Sequence, residues 1–109
     1  MPTVYKVLGQ SAPSAVTATS LYTVPASTSA IVSTLNIVNL STNADTVRVA
    51  IRPAAATLAN QHYVIFGLVL PAKAQYALQA GLTLATTDVI TVYSTNGTSS
   101  FSVFGSEIS

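Results

Sequence analysis

The chain has 109 residues, half of them hydrophobic, with four basic and three acidic side chains, one histidine and no cysteine. Charged residues make up 6% of it, against roughly a quarter in an ordinary soluble domain, and the formal net charge is only +1. This leaves no electrostatic route to nucleic acid and no disulfide or thiolate chemistry, and no apolar run approaches the ~20 residues of a membrane-spanning helix.

The length suits one domain over residues 1–109, large enough to bury a core without staples. Polarity comes mainly from serine and threonine, about a quarter of the residues, set among alanines and β-branched aliphatics. That mixture predicts a β-rich structural or binding protein packed against neighbours rather than a catalyst. With so little charge to keep copies apart, the isolated chain is expected to self-associate.

The chain opens Met1-Pro2-Thr3-Val4-Tyr5-Lys6, without the charged-then-apolar order of a secretory signal. From there side chains alternate with a period of two almost throughout. A strand over residues 3–8 is followed by the turn Ala12-Pro13-Ser14 and a strand over 15–24. The turn Val24-Pro25-Ala26-Ser27 leads into a strand over 30–40, and Leu40-Ser41-Thr42-Asn43 into one over 46–52. In the latter, Val47, Val49 and Ile51 share one face, and Arg48, Ala50 and Arg52 the other.

The alanine-rich stretch 53–61 is short and lacks an amphipathic stripe, so a loop with one helical turn is favoured over a helix. Residues 62–70 form a strand with two apolar faces, His62, Val64, Phe66, Leu68 and Leu70 against Tyr63, Ile65, Gly67 and Val69. In a two-sheet sandwich one face normally meets water. Either a loop of the same chain or another subunit must cover this one, and the low charge favours the subunit. Leu70-Pro71-Ala72-Lys73 then precedes a strand over 75–79, and others follow over 89–94 and 101–104. Asn96-Gly97 between the last two is a hairpin signal. About eight short strands at this spacing predict an all-β fold, an antiparallel β-sandwich of jelly-roll or Greek-key type. Pro25-Ala26 and Pro71-Ala72 each precede a strand, and Ser41-Thr42-Asn43 and Ser94-Thr95-Asn96 lead into residues 47–51 and 101–104, a faint internal echo that turn chemistry alone would also produce.

Catalytic machinery is not apparent. His62 is the only imidazole and reads as a partly exposed strand-end residue, and no Gly-x-Ser-x-Gly elbow accompanies the many serines. Asp45, Asp88 and Glu107 lie in three separate segments; the two aspartates precede strands and read as caps for turn amides. One histidine and three scattered carboxylates make no metal site, and five isolated glycines make no phosphate loop, so no cofactor is expected. Two glycosylation sequons, at Asn39 and Asn96, are common chance matches in such a chain. Arg48 and Arg52 stand about 13 Å apart on one strand face. They are either solvated or paired with Asp45, Asp88 or Glu107 of a neighbouring subunit. Five tyrosines could serve contact surfaces or be ordinary strand residues.

Several blocks together carry a resemblance: Leu21-Tyr22-Thr23-Val24-Pro25-Ala26, Ala30-Ile31-Val32-Ser33-Thr34-Leu35, Val47-Arg48-Val49-Ala50-Ile51-Arg52-Pro53, Asn60-Gln61-His62-Tyr63, Asp88-Val89-Ile90-Thr91-Val92-Tyr93, and the segment from Phe101 to Ile108. In this order, over nearly the whole chain, they resemble small structural proteins of tailed bacteriophages. The resemblance implies a virion component without enzymatic activity. The leading expectation is a capsid decoration (cement) protein, a homo-trimer or other homo-oligomer bridging major capsid protein subunits on the virion surface. The alternative is a tail, fibre or baseplate module touching host glycans through residues such as Tyr76, Tyr93 and Asn96. Candidate contacts are residues 2–8, including Tyr5, and the strand with His62, Tyr63, Ile65, Phe66 and Val69, together with Arg48 and Arg52.

Overall fold

The computed structural model describes residues 3–79 and 81–109; Pro2 of the candidate N-terminal contact lies outside them. Nine strands are present among the described residues: β1 (Thr3–Ser11), β2 (Thr19–Thr23), β3 (Ser29–Asn39), β4 (Asp45–Arg52), β5 (Tyr63–Leu70), β6 (Gln75–Leu78), β7 (Leu82–Leu84), β8 (Val89–Ser94) and β9 (Ser99–Ile108). They form two antiparallel sheets, ordered β1-β9-β3-β6 with β7 also on β3, and β2-β8-β4-β5. With β6 and β7 counted as one interrupted strand, this is the order of a jelly roll. One long antiparallel ribbon, folded back at the connector between β4 and β5, pairs β1 with β9, β2 with β8, β3 with β6 and β7, and β4 with β5.

The two-residue period places the core. Val47 and Val49 of β4, Val92 of β8, Ala30, Val32, Leu35 and Ile37 of β3 and Phe101 and Val103 of β9 are almost completely buried between the sheets. The connector folds as two single 3-10 turns, Pro53–Ala55 and Asn60–His62, as a segment without an amphipathic stripe should.

The largest departure from expectation is at Asn96-Gly97. No hairpin forms there: β8 pairs with β2 and β4 in one sheet, β9 with β1 and β3 in the other. The turn is an arch that carries the chain across the sandwich. Gly97 has φ +70°, and a Cβ on it would come within 2.7 Å of the Ala15 nitrogen, so the residue type answers to the arch as well as it would to a hairpin. The arch between β3 and β4 lies alongside it, joined by the Leu40 amide donating to Thr98 O at 2.9 Å and the Thr95 amide donating to Thr46 O at 2.9 Å. The two similar turns of the sequence are thus neighbours in space.

A buried polar cluster clips these arches together. The Asp45 carboxylate, 1% exposed, accepts from the Thr46 amide at 2.8 Å, the Asn96 amide at 2.9 Å and the hydroxyls of Ser94 and Ser99. Beside it, buried Asn39 donates to Asn43 O and Leu70 O and accepts from the Ser41 amide and the Thr98 hydroxyl. Its amide is consumed by the fold and closed to a glycan. Asp88 caps the other end, accepting from the Ala85 amide at 2.8 Å and the Ala54 amide at 2.9 Å.

Candidate interaction surfaces

On the outer face of the second sheet, register sets three side chains in a row. Arg48 of β4 stands opposite Phe66 of β5 on one side and Tyr93 of β8 on the other. Its guanidinium carbon lies 4.4 Å from each ring centroid, a two-sided cation–π contact. The Tyr63 ring meets Phe66 edge-on at 4.8 Å, and these two with Asn60 line a depression of about 290 Å3. Phe66 is 62% exposed and Val69 60%, and Val64 is exposed too. β5 is an edge strand without a single charge, and the lysines that usually guard such edges are missing. Two bulges interrupt its pairing with β4, one at Gly67 (φ +75°) between Phe66 and Leu68 and one at Val64 between Tyr63 and Ile65.

The chain's own connector covers only the start of this strand. The Asn60–His62 turn packs against β4, Ala50 is buried although it shares the side of Arg48, and His62 is buried with Nδ1 accepting from the Ala59 amide at 3.1 Å. The reading of His62 as a partly exposed strand-end residue is therefore corrected: it sits in a turn that it helps to close. Ile65 turns inward and packs on the core. Arg52 donates from Nε to Thr91 Oγ1 at 3.0 Å and from Nη1 to Ala56 O at 3.2 Å, securing the connector. Of the candidate contacts, Arg48, Tyr63, Phe66 and Val69 thus share one surface, while His62, Ile65 and Arg52 are committed to the fold.

Tyr5 belongs to a second surface, on the other sheet. It is 83% exposed and, with Val7, Ile31, Ser33 and Phe104, lines a depression of about 430 Å3 across β1, β9 and β3. Tyr76 is also on this sheet, in β6, whereas Tyr93 is on the opposite one. Asn96 is spent on Asp45 and Ala44 O. The three residues considered for glycan contact do not come together.

The three side-chain carboxylates all have internal partners. Glu107 pairs with Lys6 Nζ at 3.0 Å and accepts from the Tyr22 hydroxyl, joining β9 to β1 and across the sandwich to β2. Tyr22's hydrogen bond holds Glu107 below the usual carboxylate range, with help from Lys6 and against partial burial. Burial and the Glu107 carboxylate push the Tyr22 phenol up. For Asp45, burial acts to raise the pKa, but its hydrogen bonds from Ser94, Ser99, Asn96 and Thr46 together prevail and lower it. Neighbour-supplied ion pairs from these acids to Arg48 or Arg52 would therefore require breaking contacts inside the donor subunit. Among the described residues no three histidine or acidic side chains gather into a metal-binding group.

A pH dependence follows. Depressed folded-state pKa values for Asp45 and Glu107 mean that the unfolded chain binds protons first, so their contribution is complete above the unfolded values and lost as pH falls through the folded ones. Urea midpoints should be level from pH 7 to about 5 and fall steadily below about 4. In the double variant Asp45→Asn/Glu107→Gln that slope should flatten; an unchanged slope would assign it elsewhere.

No protein-family model matches the chain, and no curated protein matches it in sequence.

Proposed function

We propose that the protein is a phage virion structural protein, a capsid decoration protein that bridges neighbouring subunits of the shell. The observation that carries this reading is the pair of uncovered apolar surfaces on opposite sheets, Tyr63-Phe66-Val69 on one and Tyr5-Val7-Ile31 on the other. Apolar surface on one side suits a dimer; on both sides of a domain measuring 45 × 27 × 20 Å it suits a tile set between neighbours. The jelly roll is a fold that viral shells use, though lectins and cupins use it as well, so the topology agrees with the reading without selecting it. Binding would be driven by apolar area and shape, as the near-neutral surface requires. A tail or baseplate position would use the same surfaces; the glycan version is disfavoured because its residues lie apart.

Copy number per virion distinguishes these positions. Quantitative mass spectrometry of purified particles should find the chain in hundreds of copies, and stripped, expanded capsids should rebind it saturably. A handful of copies would move it to the tail, and absence from particles would end the virion reading.

A further inference from the structure

We infer that Asn96 is a deamidation site whose reaction the folded arch suppresses, and whose conversion prevents the arch from closing again. The inference stands apart from the virion reading and needs no reactant beyond water.

The sequence creates the hazard. An asparagine side chain is attacked most readily by the backbone nitrogen of a following glycine, which has no side chain to obstruct the approach. Asn96-Gly97 is the one such pair in the chain; the other asparagines precede Ile37, Leu40, Ala44 and Gln61. Both members are exposed, so water reaches them. The arch nonetheless needs both. Gly97 has φ +70°, and a Cβ there would meet the Ala15 nitrogen at 2.7 Å. Asn96 donates from Nδ2 to Ala44 O at 2.8 Å, tying its arch to the neighbouring one. A labile pair thus sits where neither residue can be exchanged without loss.

In the reaction the Gly97 nitrogen gives up its proton and bonds to Asn96 Cγ, the Cγ–Nδ2 bond breaks, and ammonia leaves. Water then opens the resulting succinimide, at one carbonyl to give aspartate or at the other to give isoaspartate. An amide and water become an acid and ammonia, and nothing is oxidised or reduced. The fold opposes the first step at both reacting groups. The Gly97 N–H donates to Ser94 Oγ at 3.0 Å, and the Asn96 side chain is held by Ala44 O. The Asn96 backbone amide is fixed in turn on Asp45 Oδ1 at 2.9 Å. Attack requires these contacts to be released together, which is a local opening of the arch.

Either product then spoils the arch. Aspartate replaces the donor to Ala44 O with an oxygen that repels it, and adds negative charge to a turn that already serves the Asp45 carboxylate. Isoaspartate routes the main chain through Cγ, lengthening it between the two amides that bond Asp45 and Ser94. Opening is thereby made irreversible by chemistry, and folding competes with that loss.

The test follows conversion of Asn96 in the full chain at mildly alkaline pH, folded and in guanidinium chloride, by peptide mass spectrometry. Conversion should be at least tenfold slower in the folded chain, and in denaturant Asn96 should convert well ahead of Asn36, Asn39, Asn43 and Asn60. Ser94→Ala removes the acceptor of the Gly97 amide. It should raise the folded-state rate more than Gly105→Ala, which crowds β3 and β9 away from the arch; near-ultraviolet circular dichroism verifies that both are folded. On removal of denaturant, the refolded fraction should fall in step with conversion, and Asn96→Asp should unfold at lower urea than the parent. Equal rates in the folded and denatured chain, or a Ser94→Ala rate no higher than that of Gly105→Ala, would overturn the inference. So would full refolding of converted chains, or an Asn96→Asp midpoint equal to the parent's. The first and the refolding comparisons use only the parent chain, so a variant that fails to fold leaves the test decisive.

Discussion

Asp45→Ala is expected to remove about 4 kcal/mol of folding stability, a large share of the ~5–15 kcal/mol that holds a small domain together. The carboxylate is 1% exposed and receives two backbone amides and two serine hydroxyls. Truncation leaves those donors facing a void that water reaches poorly, and each unsatisfied buried donor costs ~1–3 kcal/mol. Asp45→Asn keeps an acceptor for the Thr46 and Asn96 amides and lets the serines reorient, so about 2 kcal/mol is expected. Urea unfolding should show a lowered midpoint with an unchanged slope, the signature of a native-state loss. A loss below about 1 kcal/mol for Asp45→Ala would mean that the cluster is incidental to the arches. Because the arches hold β4 and β8 in place, Asp45 also underlies the Phe66–Arg48–Tyr93 row without touching it.

Alternation made the strands and the inward face of Val47, Val49 and Ile51 legible, and the turn residues bounded them. What the sequence could not convey is which strands pair. In a jelly roll the partners are far apart in sequence, as with β1 and β9, and a local turn signal says only that the chain reverses. Asn96-Gly97 reverses it across the sandwich instead of within a sheet. Leu82–Leu84 carries no strand signal in the sequence, because three residues are too few for a period to register.

The surfaces were legible to a similar depth. Two apolar faces on residues 62–70 mark an unusual strand, but the bulges at Gly67 and Val64 decide which side chains turn out, and their effect is invisible in a strict alternation. Arg48 and Arg52 look equivalent in sequence. Only the register, which sets Tyr93 and Phe66 beside one and Thr91 beside the other, separates a guanidinium stacked between rings from one hydrogen-bonded to its neighbours. Asp45 reads as a turn cap, which it is; nothing in its flanks announces that Ser94 and Ser99, half the chain away, share it.

Gly105→Ala is expected to cost about 3 kcal/mol or more, for a reason found in backbone spacing and not in turn conformation. A Cβ on Gly105 would lie 2.0 Å from Ile31 O and 3.0 Å from Val32 Cα, both backbone atoms of the adjacent strand β3. No rotamer relieves such a contact, so β3 and β9 would have to separate beside the bulge between Val32 and Thr34. These two are the longest strands of the first sheet, and their separation would open the core beneath Val32 and Val103. The same movement would displace Phe104 and Ile31, so the Tyr5 surface should change with stability. Gly81→Ala is the control: nothing lies within 4 Å of its Cβ position, and its midpoint should stay within about 0.5 kcal/mol of the parent. If both variants unfold with the parent, β3 and β9 are less tightly apposed than this geometry requires. If only Gly105→Ala falls, and the share of acrylamide-quenchable tyrosine fluorescence that Tyr5→Phe removes changes with it, the close approach of those strands shapes both the core and the face above it.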